Sequence, residues 1–273
     1  MITKQNLHMH STFDDGADSC LDMLLACRQA GIVSAGVSLH SPMRFETDWT
    51  AKRDGVDAFL RQMEALKSDL SGTLQVFTGI EWDVLSPKEI LDSFDYVIGS
   101  VHFLPVSDVP PSVDNVPEET ENLIGMYFGG DADAAAERYF AELFHVAEEK
   151  RVQICGHFDL LTKFNERFSF FNPESERYIK AGQRALTAIL DAGKVIEVNT
   201  GAISRGWRTN PYPDRRWLLE IARRHGRVML SSDAHACANV VTAFEETEAL
   251  LRSCGFKEIV QYMGNGEFER VPL

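Results

Sequence analysis

The sequence predicts an α/β protein built as a parallel β/α barrel, and three observations carry that prediction. Its 273 residues fit one large domain, short apolar runs alternate with helix-like segments, and nearly every run ends in a histidine or a carboxylate. Barrels of roughly 200 to 250 residues or more form single units, so one domain is expected over residues 1–273. Seven runs read as strands: residues 4–9, 33–38, 74–80, 95–101, 152–156, 195–199 and 227–231. Between them, Cys20 to Ala30, Gly55 to Asp69, Asp131 to Lys150, Glu174 to Ala192 and Asp214 to Arg224 repeat Leu, Phe, Ile and Ala at helical spacing. This alternation is the pattern of βα units. The stripe Tyr139, Phe140, Leu143 and Phe144 reads as core. No linker and no internal repeat interrupts the chain.

Composition narrows the function classes. With 44% hydrophobic and 25% charged residues, the chain is neither disordered nor collagen-like. A net charge of −14, from 27 basic and 41 acidic residues, leaves no basic stripe, which argues against nucleic acid and anionic membrane as partners. A small anion is still compatible with a locally positive site. The cysteines Cys20, Cys27, Cys155, Cys237 and Cys254 are odd in number and scattered, so they read as reduced thiols of a cytoplasmic protein. The first residues lack the apolar run of a signal peptide, and no stretch approaches the roughly 20 apolar residues that span a bilayer. A soluble protein is expected; nothing in the sequence indicates its oligomeric state.

The chemistry lies at the strand ends. Strand one ends in His8-Met9-His10, strand two in His40, strand three in Glu81, strand four in His102, strand five in His157 and strand seven in Asp233-Ala234-His235. In a parallel barrel these ends converge on the face where active sites are built. Residues two apart on a strand point to the same side, so His8 with His10, and Asp233 with His235, can each chelate. Imidazole nitrogen and carboxylate oxygen without thiolate favour zinc, manganese or iron. The candidates His8, His10, Asp15, His40, Glu81, His102, His157, Asp233 and His235 exceed what one ion can use; three ions can share them if Glu81 bridges. A lone histidine at a strand end is more often a hydrogen-bonded core or surface residue, but agreement among six strand ends outweighs that. His145, within a helix, and His225, beside Arg223 and Arg224, gain no such support and are read as structural.

Several segments together resemble the polymerase and histidinol phosphatase (PHP) superfamily. They are His8-Met9-His10-Ser11 with Asp15-Gly16, Gly156-His157-Phe158-Asp159, and Ser232-Asp233-Ala234-His235. Gly99-Ser100-Val101-His102, Tyr127 to Asp131, and Glu197-Val198-Asn199-Thr200 leading to Tyr212-Pro213 resemble its histidinol phosphatase branch. The resemblance implies a distorted (β/α)7 TIM-like barrel with a trinuclear site. His8, His10, Glu81 and Asp233 would hold one ion, Glu81, His102 and His157 a second, and Asp15, His40 and His235 a third.

The implied activity is hydrolysis of a small phosphate monoester, histidinol phosphate in this branch, by attack of a metal-bridging hydroxide. Three divalent ions against Asp15, Glu81 and Asp233 leave the cluster net positive, so a globally acidic protein can attract a phosphate locally. Arg205 is the leading candidate to grip the phosphate, because its guanidinium binds phosphate as a fork and its place after strand six, where no ligand is proposed, leaves it free to contact the phosphate from the side opposite the metals. Lys163 is the second candidate, although relatives often carry Arg-Lys where this chain has Thr162-Lys163, and Arg208 is the reserve. Catalysis is expected to turn on Asp15, Glu81, Asp233, His235 and Arg205. The leaving alkoxide would be protonated by a metal-bound water or by Asp15 or His235. The long acidic segment from Leu104 to Asp131 is either a lid, with Tyr127 and Phe128 available for stacking, or an insertion that touches nothing. Two alternatives stand beside this reading: a PHP phosphoesterase for another small monoester or a nucleotide, and a non-catalytic metal-binding module, which the intact ligand set disfavours.

Overall fold

The computed structural model describes residues 3–273, and all seven expected runs are parallel strands of one sheet, ordered β1 to β7. These are β1 (Gln5–Asn6), β2 (Ser34–His40), β3 (Gln75–Asp83), β4 (Tyr96–Ser100), β5 (Ile154–Cys155), β6 (Val195–Asn199) and β7 (Val228–Ser231). The sheet curls until its first and last strands meet. Met9 pairs in parallel with Ala234, and the His10 N–H donates to the Ala234 carbonyl at 2.9 Å. The result is a nearly closed (β/α)7 barrel of TIM-like form.

Helices α1 (Cys20–Gln29), α2 (Val56–Asp69), α3 (Pro117–Asn122), α4 (Ala132–Glu148), α5 (Asn165–Phe168), α6 (Glu176–Asp191), α7 (Gly201–Ser204), α8 (Arg215–Arg223) and α9 (Phe244–Ser253) accompany the strands. The five expected helices are α1, α2, α4, α6 and α8, each slightly shorter than its sequence pattern. Side-chain caps mark three of their starts: Ser19 accepts from the Asp22 N–H, Asp131 from the Ala134 N–H and Asp214 from the Arg216 N–H. Tyr139, Phe140 and Leu143 of α4 are buried, whereas Phe144 is exposed and so leaves the expected core stripe. Among the described residues, no helix is long and apolar enough to cross a membrane.

The barrel interior is filled, and its filling directs the chemistry to one end. Tyr96 lies inside the lower half, where a Cβ added to Gly36 or Gly79 would overlap its ring, so only glycine fits at these two positions. Below it, an antiparallel hairpin that the sequence pattern did not suggest, β8 (Glu258–Gly264) with β9 (Glu267–Pro272), closes the barrel floor. Tyr262 packs edge-on to Phe77 and Tyr96 at 5.0 and 5.7 Å, and its backbone exchanges hydrogen bonds with the Gln5 side chain at 2.8 and 2.7 Å. The apolar floor leaves the carboxyl ends of the strands as the open, polar mouth.

Candidate metal centre

Strand parity aims the polar residues into that mouth. His40 is the last residue of β2 and pairs with Glu81 of β3. His102 and His157 follow β4 and β5 by two residues, and Asp233 follows β7 by two. Asp233 has φ 48°, a left-handed conformation that aspartate tolerates better than most residues and that turns its carboxylate into the bowl. His8, His10, His40, Glu81, His102, His157 and Asp233 are buried, while Asp15 and His235 sit part-exposed at the rim.

Glu81 occupies the centre. Its Oε2 lies 3.2 Å from His8 Nε2, 3.5 Å from His10 Nε2 and 3.0 Å from His40 Nδ1. Its Oε1 lies 2.9 Å from His102 Nε2 and 2.6 Å from His157 Nε2, and accepts from the Ser100 hydroxyl at 2.8 Å. Five imidazoles thus converge on one carboxylate. At the rim, Asp15 Oδ1 stands 3.2 Å from His235 Nε2 and 3.5 Å from His40 Nε2.

The geometry of the outer hydrogen bonds tests whether a cation fits. His8 Nδ1 meets Glu197 at 2.5 Å and His10 Nδ1 meets Asp14 at 3.0 Å, so in the neutral rings both protons belong on Nδ1. Both Nε2 lone pairs then face one another at 3.1 Å, with Asp233 Oδ1 3.5 Å from His10 Nε2. Lone pairs and a carboxylate held this close repel unless positive charge lies among them. Glu81 Oε2 is buried with no hydrogen-bond partner, as a ligand atom would be. Burial alone would lower the pKa of His8, yet Glu197, Glu81 and Asp233 hold it well above the usual histidine range. Burial also opposes charge on Glu81, but His8, His102 and His40 keep its carboxyl well below the usual range. The bowl is therefore built to gather positive charge on nitrogen and oxygen donors.

Three groupings have ligand atoms within 4.8 Å of one another: His10 with Asp15, His40 and His235; His8 with His10 and Asp233; and His40 with Glu81 and His102. They overlap the division implied by the resemblance but differ from it: His10 also joins the rim group, His40 stands with Glu81 and His102, Glu81 is absent from the group of His8, His10 and Asp233, and His157 belongs to none of the three.

The phosphate-binding candidates are placed less simply. Arg205 was expected on the side away from the ligands; instead its guanidinium donates to Asp233 Oδ2 at 3.0 Å and meets His235 Nδ1 at 2.9 Å. It follows the short helix α7, at whose first residue, Gly201, an added Cβ would meet Asp233 Oδ2 at 2.7 Å and the Arg205 guanidinium at 2.8 Å. Lys163 reaches the bowl, but its ammonium is already held by Asp114, at 2.6 Å from the carbonyl and 3.2 Å from Oδ2. Arg208 is buried, bonded to the Thr162 hydroxyl, 3.8 Å from Asp214 Oδ2 and lying over Tyr212, and does not line the bowl.

The sequence reading gave no role to several residues that shape the site. Glu197 on β6 holds His8 and accepts from the His157 N–H at 2.9 Å. Asp14 holds His10 and accepts from the His40 N–H at 2.8 Å. Asp114 lies 3.3 Å from His102 Nδ1 and comes from the 104–131 segment. That segment packs through Thr120, Leu123 and Ile124, so it is not an insertion without contacts. Asp114 and Asn115, not Tyr127 and Phe128, bring it to the bowl. Trp49 adds an aromatic wall, edge-on to His40 at 4.8 Å and His102 at 5.2 Å. The cavity so enclosed is about 240 Å³, with Asp15, His235, Lys163 and Arg205 around it.

Fold and site together define a class, a parallel β/α barrel with a histidine and carboxylate centre in its carboxyl-end mouth. The PHP domain model matches residues 6–201, more than half of the sequence, and the chain belongs to the PHP domain family. It is 25% identical over 278 residues to the histidinol-phosphatase of Bacillus subtilis (strain 168), covering 93% of this chain and 100% of that one. The crystal structure of a proposed histidinol phosphatase from Listeria monocytogenes superposes with a TM-score of 0.81 at 18% identity, over 89% of this chain and 99% of the other. A histidinol phosphate phosphatase from Lactococcus lactis, solved with zinc, L-histidinol and phosphate, gives a TM-score of 0.72 at 17% identity, over 98% and 100%. These two structures carry the fold.

Proposed function

We propose that the chain is a divalent-metal-dependent phosphate monoester hydrolase whose substrate is L-histidinol phosphate, cleaved by water to L-histidinol and phosphate. One observation carries the reading: Glu81 sits among five imidazoles at the mouth of the barrel, in a cavity that the Arg205 guanidinium also lines. The substrate is supported by the Bacillus subtilis relative, which aligns along its whole length and bears that activity as its name.

In this reading His8, His10, Glu81 and Asp233, then Glu81, His102 and His157, then Asp15, His40 and His235 would hold three ions of zinc, manganese or iron. When bound, such ions lower the pKa of a coordinated water and neutralise charge on phosphoryl oxygens. The chain supplies the rest. Glu197 and Asp14 fix the tautomers of His8 and His10, so each presents Nε2 to the bowl. Arg205 offers its fork to the phosphate, and Lys163 adds a second cation whose charge Asp114 moderates. Asp15 and His235, 3.2 Å apart at the half-open rim, would hold the third ion, and the proton that the leaving alkoxide takes up would come from water there.

Purified protein with its metals is expected to hydrolyse L-histidinol phosphate with a kcat/KM at least about tenfold above that on para-nitrophenyl phosphate, a margin of roughly 1.4 kcal/mol in transition-state binding. Steady-state kinetics on the two esters, with a nucleoside monophosphate alongside, decides it. A higher value on the nucleotide would transfer the reading to a different PHP phosphoesterase, and no turnover of any ester would reject catalysis.

A further inference from the structure

A second cavity, of about 300 Å³, opens beside the bowl and shares two walls with it, Trp49 and Asn115. It is formed by the loop between β2 and α2 and by the 104–131 segment, the two stretches that contribute none of the proposed metal ligands. The bowl carries the cations Lys163 and Arg205 among its histidines and the carboxylates Asp15, Glu81, Asp114 and Asp233, whereas the lining of the second cavity includes the carboxylates Glu46, Asp48 and Glu119 and no lysine, arginine or histidine. The groups able to hold an anion therefore lie on one side of Trp49 and Asn115, and the charged side chains on the other side are all acidic.

The remaining lining is aromatic and apolar. Trp49 stacks on Phe103 at 5.3 Å with 7° between the rings, and Phe45 meets Phe103 edge-on at 5.0 Å. Around the opening, Val109, Met126 and Tyr127 stand 69%, 74% and 40% exposed. Apolar side chains left open around a concave site commonly mark a binding surface. Aromatic faces together with carboxylates attract organic cations in particular.

We infer that this cavity receives the leaving-group half of the substrate, and that it selects phosphate esters of cationic alcohols. The inference rests on the phosphate monoester hydrolase reading of the neighbouring bowl. A molecule with its phosphate between Arg205 and the bowl, and an ammonium or imidazolium group past Trp49, matches the charge at both ends. An ester of a neutral alcohol gains nothing from Glu46, Asp48 and Glu119, and a nucleotide would bring a further anionic or neutral body against them. Asn115 is held at the junction by Glu119, which accepts from its amide at 3.0 Å.

The test compares L-histidinol phosphate, whose leaving group is cationic, with para-nitrophenyl phosphate, whose leaving group carries no positive charge. The full chain with its metals is assayed as wild type, as the triple variant E46Q/D48N/E119Q, and as Met126→Lys, which adds a cation at the cavity mouth. Both variants are expected to raise KM for histidinol phosphate about tenfold while leaving kcat/KM for para-nitrophenyl phosphate within about twofold. An unchanged preference for histidinol phosphate in both variants, or an equal loss on both esters, would overturn the subsite while the hydrolase reading stood. Failure of the wild type to cleave either ester would instead remove the hydrolase reading, and the subsite with it.

Discussion

Glu81→Gln is expected to lower kcat on histidinol phosphate by at least about a thousandfold, on the order of 4 kcal/mol in barrier height. The side chain keeps its size, but the charge at the point where five imidazoles converge is lost. A neutral amide also presents an NH2 group to nitrogen donors that need an acceptor or a metal ion, so ions shared through Glu81 would be loosened together. Circular dichroism should remain that of the parent, because the barrel floor around Tyr96 and Tyr262 does not involve Glu81. Near-parental turnover with full metal content would show that Glu81 does not bridge.

Arg205→Ala is expected to reduce kcat/KM by roughly tenfold to a thousandfold, the loss that follows removal of a charge-assisted contact of about 1.5 to 4 kcal/mol. Lys163, its ammonium held by Asp114, would compensate only in part, and Arg208 is buried outside the bowl. Arg205→Lys should recover only part of the loss, because an ammonium cannot reproduce the fork. Metal content must be measured on the same samples, as Arg205 also touches Asp233. A harmless alanine, or one whose whole effect follows an emptied metal site, would take the phosphate-anchoring role away from Arg205.

The barrel was legible because its strands are buried on both faces and so form compact apolar runs, each punctuated by a polar residue at the same end. β2 shows this most simply: all seven residues from Ser34 to His40 are buried, and the run stops at a ligand-type side chain. The floor hairpin was not legible, because β9 is largely exposed and its partner β8 offers only Ile259, Val260 and Tyr262 to the interior. α9 likewise buries only two apolar side chains, Phe244 and Leu251, beside the polar Thr247 and Glu248.

At the site, spacing along single strands revealed which residue types converge but not what stands behind them. Glu197 could have been found from parity: it lies two residues before Asn199 on β6, and both turn inward, where Asn199 reaches Glu197 at 3.0 Å and Asp233 at 3.2 Å. Asp14 follows His10 by four residues, a spacing that reads as a loop until the turn brings them together at 3.0 Å. Asp114 had no local signal, since it comes to His102 from the far side of a long connection. The position of Arg205 was missed for a related reason. The short helix α7 folds its loop back toward β7, which no periodicity in residues 201–208 announces.

The number of transition-metal ions per chain tests the central claim most directly. Protein produced with ample zinc, manganese and iron, freed of loosely bound metal and measured by elemental analysis, is predicted to carry two or three ions, and chelation should abolish hydrolysis until metal is restored. Fewer than two ions per chain, or hydrolysis that survives their removal, would contradict a metal centre built around Glu81.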